Sequence, residues 1–162
     1  MLTQARLKDI LSYDKDTGLF TWIKTVRRTD LLGQIAGFDA NGYIGIRIGR
    51  KPYMAHRLAW LYVTGEWPSD EIDHRNRVRS DNRFDNLRSA THHRNTFNQS
   101  VRKNSSGVTG VTWDQVNKKW RAHISPNGRM ISLGRHSSLD GAVAARKRAE
   151  VQHFGEFAPG AV

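Results

Sequence analysis

Asp73-His74-Arg75-Asn76-Arg77-Val78-Arg79-Ser80-Asp81-Asn82-Arg83-Phe84-Asp85-Asn86-Leu87-Arg88 is the stretch on which the fold turns. Ile72 to His74 reads as a short strand and Leu87-Arg88-Ser89 as a second, with a long polar loop between them. Residues 91–99 follow as a helix, with Thr91 at the N-cap. The order is strand, long loop, strand, helix. It sets a carboxylate beside an imidazole at Asp73-His74, with the amides of Asn82, Asn86 and Asn95 further on. Such a pair can hold a metal and activate a water at one point in space. Neighbouring strand residues point to opposite faces, so both address one site only where the strand ends or bends.

The surrounding chain says what that water would attack. Lys and Arg number 26 against 15 Asp and Glu, a formal charge of +11 over 162 residues. An excess of this size favours a polyanion, which makes a phosphodiester the natural substrate. A membrane partner is disfavoured, because no apolar run approaches the roughly 20 residues of a spanning helix. The N-terminal residues lack the apolar core of a signal peptide. The chain has no Cys, which excludes disulfides and thiolate zinc sites, and a cytoplasmic protein is the simplest inference.

Upstream, Leu2, Leu7, Ile10 and Leu11 predict a short helix over 3–12, with Thr3 as its cap. A turn over 13–18 leads to a strand over 19–23. Asn41-Gly42 precedes a second strand carrying Tyr43, Ile44, Ile46 and Ile48, and Gly49-Arg50-Lys51 turns the chain into Pro52-Tyr53-Met54. The glycines at 33, 37, 42, 45 and 49 do not form a phosphate loop, since no Gly-Lys-Ser/Thr follows. Residues 55–65 read as a buried helix stopped by Gly65. His56, at its start, reads as structural rather than catalytic.

Phosphodiester hydrolysis needs an attacking water, help for the leaving oxygen and charge cover for the transition state, and one divalent cation supplies the last two. Mg²⁺ prefers oxygen ligands and keeps several waters, so one carboxylate and one amide oxygen suffice. Asp73 and an Asn carbonyl meet that need. His74 suits a general base near neutral pH. His92 and His93 read as phosphate contacts or solvated residues in preference to a zinc site.

The tract Asp73-His74, Ser80-Asp81-Asn82-Arg83, Asn86-Leu87-Arg88-Ser89-Ala90-Thr91, Asn95 and Asn98 resembles the His-Asn-His (HNH) nucleases of ββα-metal fold. Within them it is similar to the phage and intron-homing type, in which the last His is Asn. The segments Leu11 to Trp22, Ala55 to Trp60 and Gly65-Glu66-Trp67-Pro68 extend the likeness upstream. The resemblance implies that Asp73 and Asn95 hold one divalent metal, Mg²⁺ with Mn²⁺ as the alternative. It implies that His74 is the general base and that Asn86 ties down the loop. It also implies double-stranded DNA as partner, a homodimer if both strands are cut, and a bacterial host cell if phage-encoded. Where the family commonly has Ile-Asn-Gly after the Asp-His pair, this chain has Arg75-Asn76-Arg77. Losing that Gly costs a left-handed turn, or Arg77 tolerates one. Arg75 and Arg77 are candidate DNA contacts.

Residues 100–107 have linker composition, and Arg102 and Lys103 within them are candidate phosphate contacts. Three short strands at about 108–114, 119–125 and 129–134 follow, then a helix over 139–153 carrying Leu139, Ala142, Ala145 and Ala149. The whole chain is therefore α+β. It divides into an N-terminal strand and helix segment (1–54), a nuclease core (55–99), a basic linker (100–107) and a small three-stranded antiparallel sheet with one helix (108–158). Gly110-Val111, Trp113, Lys119-Trp120-Arg121-Ala122, Asn127-Gly128, Leu133-Gly134 and Phe154-Gly155 resemble the Apetala-type DNA-binding domain of ethylene-response factors. The resemblance implies a sheet laid into the major groove.

Alternation then sends Val111, Trp120, Ala122, Ile124, Ile131 and Leu133 toward the helix. Thr112, Asp114, Arg121, His123, Ser125, Met130 and Ser132 fall on the opposite face, flanked by Lys118, Lys119, Arg129 and Arg135. Thr109, Thr112, Met130 and Ser132 replace the Arg and Trp of the plant pattern, which favours modest specificity or shape reading. Arg146, Lys147 and Arg148 read as a solvated helix face. The expectation is a metal-dependent DNA endonuclease. The rival is a non-catalytic DNA-binding regulator on the same scaffold. An RNA-binding module is a third reading, without the exposed aromatic sheet that single-strand readers use.

Overall fold

Thr3 starts the first helix as its position predicts: its hydroxyl accepts from Arg6 N at 3.3 Å in the computed structural model. The structure describes residues 1–25, 28–91 and 104–158. The chain divides into two units, Met1–Thr91 and His92–Val162. Both contain helices and small antiparallel sheets, so the fold class is α+β. Apart from Thr91, the predicted helix over 91–99, with Asn95, His92 and His93, lies outside the described residues, as do Arg102 and Lys103.

In the first unit α1 (Gln4–Ile10) buries Leu7 and Ile10. The sequence extends this helix to residue 12, but the chain is already extended at Leu11. Leu11–Tyr13 forms β1, antiparallel to β2 (Phe20–Trp22), with Leu11 opposite Trp22 and Tyr13 opposite Phe20. The reason is side-chain direction: in a strand Leu11 and Tyr13 share one buried face, and Tyr13 stacks on Phe20 at 4.6 Å. Gly18 closes the β1–β2 turn at φ +74, where a Cβ would collide with the backbone of Asn82 and Arg83. The turn is thus pressed against the loop that the sequence singled out.

A three-stranded sheet follows in the order β3 (Phe38–Ala40), β4 (Tyr43–Ile48), β5 (Lys51–Met54). Asn41 and Gly42 join β3 to β4 with both φ values positive, the hairpin turn that favours this dipeptide. The strand β3 has no clear signature, because Phe38 and Asp39 are exposed. The helix α2 (Ala55–Thr64) starts directly after β5 and ends at Gly65 in the left-handed region, as predicted. It buries Ala55, His56, Leu58, Ala59 and Leu61. Leu58 and Leu61 join Leu7, Leu11, Phe20, Ile46, Ile72 and Leu87 in one apolar core. Ile72 and Leu87 anchor β6 (Glu71–His74) and β7 (Leu87–Ala90), an antiparallel pair with Asp73 opposite Arg88.

The second unit has the order β10 (Ile131–His136), β9 (Lys119–Ile124), β8 (Val111–Asp114), with α3 (Leu139–Phe154) packed on one face. Val111, Ala122 and Ala142 are fully buried there, and Ile124 packs with Ala149 and Phe154. Ile131 departs from the expected pattern, being exposed. Arg146 is a second departure. It is buried, its Nε donating to Glu150 at 2.7 Å and its Nη1 to the carbonyl of His123 at 2.6 Å. The basic run is therefore not one solvated face: Arg146 points into the sheet while Lys147 and Arg148 are exposed.

Candidate active site

The β6–β7 hairpin holds the candidate site, and side chains bonding to one another and to the backbone tie its loop together. Asn86 spans it: Oδ1 accepts from Asn76 N at 3.0 Å, Nδ2 donates to the Asp81 carbonyl at 2.8 Å, and its own carbonyl accepts from Arg75 N at 2.9 Å. Asn76 donates through Nδ2 to Asp81 at 2.6 Å and accepts from Val78 N at 2.9 Å. Asp81 also pairs with Arg83, whose hydrogen bonds hold its carboxyl down at about 2. Arg77 takes φ +62 and donates its N–H to the His74 carbonyl at 3.0 Å. The left-handed turn is therefore kept without glycine, and Arg75 and Arg77 are both half-buried.

Asp73 lies opposite Arg88, and the two form a buried ion pair. Arg88 Nε and Nη2 donate to the same carboxylate oxygen at 2.9 and 2.7 Å. Two bonds from one planar guanidinium converge on that oxygen and fix its position. His74 is the last residue of β6, where the strand ends and the loop begins. Its Nε2 faces Asn82 Oδ1 at 3.3 Å. Asn82 is itself oriented: Nδ2 donates to the Ser80 carbonyl at 3.1 Å, and its carbonyl accepts from Tyr13 Oη at 2.6 Å. With the amide oxygen toward the ring, Nε2 carries the imidazole proton and Nδ1 is the proton-accepting nitrogen.

Two aromatic neighbours flank His74. His56 stands edge-on at 5.1 Å between ring centroids, and Tyr43 lies 5.9 Å away. Arg79 stacks over Tyr43 at 4.9 Å. Burial pushes His56 down to about 4, helped by the charges of His74 and Arg57. Burial also lowers His74, while the Asn82 hydrogen bond and the Asp73 and Asp81 carboxylates pull it back up. Both rings are thus neutral near pH 7, and a neutral imidazole can take a proton.

Asn82, Tyr43, His56 and Arg88 surround the predicted pair; the sequence points to Asn82 among the loop amides and reads His56 as structural, and it gives Tyr43 and Arg88 no role there. Asn82 stood inside the quoted tract, and its loop position was its one signal. Tyr43 and His56 reach the site through contacts far along the chain, which no local pattern reveals. Among the described residues there is no group of three or more His, Cys, Asp or Glu able to hold a metal. Asp73 offers the kind of oxygen ligand that a hard cation takes, and Asn95, its predicted co-ligand, lies outside the described residues.

The other predicted contacts belong to the second unit. Arg121, His123, Met130, Ser132 and Arg135 line one shallow cavity of about 150 Å³ on the sheet face away from α3. Thr112, Lys119 and Arg129 are exposed. Trp113 packs edge-on against Trp120 at 5.2 Å and is partly exposed.

A family model described as HNH endonuclease matches residues 53–96, which run from β5 through the hairpin. The match supports a nuclease, a hydrolase whose partner is DNA. No curated protein and no solved structure matches the chain. No helix among the described residues is long and apolar enough to cross a membrane.

Proposed function

We propose that this chain is a DNA endonuclease that hydrolyses phosphodiester bonds by a one-metal HNH mechanism, with its C-terminal unit biasing site choice. The observation that carries the reading is His74: a neutral imidazole at a strand end, held by Asn82 so that Nδ1 accepts a proton. Asp73, held by Arg88, and Asn95 would be the metal's protein ligands. When bound, a divalent cation there supplies charge cover for the crowded phosphate and the leaving 3′-oxygen.

The rest is the work of the chain's own groups. His74 Nδ1 takes a proton from the attacking water as the water oxygen bonds to phosphorus. The bond from phosphorus to the 3′-oxygen breaks and the departing oxygen takes a proton from solvent, leaving a 5′-phosphate and a 3′-hydroxyl, while His74 later gives its proton back to solvent. Asn82 keeps the proton on Nε2 throughout, and His56 keeps bulk water from one side of the ring. Asn86 holds the loop so that His74 stays at the strand end. The exposed cations Lys119, Arg121, Arg129 and Arg135 would contact duplex DNA, with phosphate contacts positioning the enzyme. One site in a monomer nicks one strand, so a double-strand break needs a homodimer or two events.

A plasmid nicking assay tests the reading. With Mg²⁺ the wild type nicks supercoiled DNA, and a chelator abolishes it. His74→Ala still binds DNA but does not nick. Equal nicking by both proteins would remove His74 as the base. Binding without nicking by the wild type would instead favour a non-catalytic regulator.

A further inference from the structure

Alternation along β10 sends residues 131, 133 and 135 to one face and residue 132 to the other. The structure breaks that pattern. The register with β9 slips between Ser132 and Arg135: Ser132 pairs with His123, and Arg135 pairs with Arg121. Gly134 sits within the slip at φ +93, a conformation that favours glycine. The bulge turns Arg135 onto the same open face as Arg121, His123 and Ser132, where all four line one cavity.

There Arg135 is oriented rather than loose. Its Nε donates to Asp114 Oδ2 at 2.8 Å. Asp114 is in turn fixed by Asn117, whose N–H donates to Oδ1 at 3.0 Å and whose Nδ2 donates to Oδ2 at 2.9 Å. No described residue bonds the two terminal nitrogens of Arg135. The pair is half-exposed on the arginine side, 50% against 14% for the aspartate, so it contributes little to stability. Its physical effect is geometric. A carboxylate on Nε directs the fork of Nη1 and Nη2 outward in a fixed plane. That fork matches the O6 and N7 acceptors on the major-groove edge of guanine. A phosphate presents paired oxygens to the same fork, so a change of base preference, and not of affinity alone, separates the two contacts.

We propose that Arg135, oriented by Asp114, is a guanine-specific reading residue of the C-terminal sheet. The inference rests on the reading of this unit as DNA-binding. It goes beyond the modest specificity that the sheet's composition suggests, because one oriented arginine can read one base pair whatever its neighbours are.

The test selects bound sequences from a randomised duplex library with the full chain, in chelator so that nothing is cut. Wild type enriches a motif with a guanine at one position. Arg135→Ala and Arg135→Lys lose that preference by about fivefold to a hundredfold, and Asp114→Asn weakens it, while the rest of the motif stands. An unchanged motif in Arg135→Ala overturns the proposal. So does a uniform loss of affinity with a shallower salt dependence, and so does full retention of the guanine by Arg135→Lys, since both mark a phosphate contact. Duplex bound by wild type without any enriched base overturns guanine reading but leaves DNA binding in place. Wild-type affinity in the double variant Arg121→Glu, Arg129→Glu would remove the underlying reading of the unit itself.

Discussion

The loop of residues 75–86 and the open face of the C-terminal sheet are both polar and rich in arginine, yet they spend their polar groups in opposite directions. In the loop, Asn76, Asn82 and Asn86 bond the backbone, while the Asp81 carboxylate is taken up chiefly by the Asn76 and Arg83 side chains. Beneath it, Asp73 and Arg88 are buried against each other. On the sheet, Arg121, Arg129 and Arg135 remain exposed, with only Arg135 steered by a neighbour. On the proposed reading, chemistry on water requires groups held within a fraction of an ångström, and the hairpin's polar side chains would serve as struts. Holding a long polyanion requires reachable charge, and the sheet's exposed cations would supply it.

The contrast is sharpest at Arg88. Arg88→Met removes the guanidinium from a buried carboxylate, and urea unfolding should show a loss of roughly 3–5 kcal/mol. A loss below about 1 kcal/mol would mean that the pair is no strut. His56 gives the next effect, through pH. Its folded value of about 4 lies below the 6.5 of the unfolded chain, so the unfolded state takes up the proton first. Stability is fully present above pH 6.5 and falls as pH drops toward 4, by at most about 3 kcal/mol. Thermal melts across that window should flatten in His56→Phe.

Asn86→Ala leaves Asn76 N and the Asp81 carbonyl without their bonds, and should cost roughly 2–3 kcal/mol. Asn86→Asp keeps the acceptor for Asn76 N but sets an oxygen against the Asp81 carbonyl, so it should cost at least as much. The smallest effect is expected on the sheet, where Arg121→Ala and Arg135→Ala should change stability by less than about 0.5 kcal/mol. Each should lower DNA affinity all the same. A large stability loss there would erase the distinction between the two regions.

What could be seen in the sequence follows the same division. Local signals were plain: Thr3 and Gly65 bound their helices, Asn41-Gly42 makes its hairpin, and the strands flanking the loop fall where Ile72 and Leu87 place them. The Asp73-His74 pair was legible because the tract carries its own spacing. The sequence reads Leu11 and Ser12 as the end of a helix and Tyr13 as the start of a turn, since so short a stretch fits either period and only the pairing with Phe20 to Trp22 decides between them. Arg146 looked like one cation in a run, because its partner Glu150 and the His123 carbonyl become neighbours only after folding. Arg135 looked like a flanking charge because alternation carries no warning of the bulge at Gly134. The orientation of His74 by Asn82 needed the loop's closure, which brings together residues on either side of a turn.

The central claim is that His74 is the base of a nuclease. Single-turnover cleavage of pre-bound duplex in Mg²⁺ tests it most directly, comparing wild type with His74→Ala at equal occupancy. The rate should fall by about 10²–10⁴-fold with DNA affinity nearly unchanged. A variant that cuts within a few-fold of wild type would contradict the account.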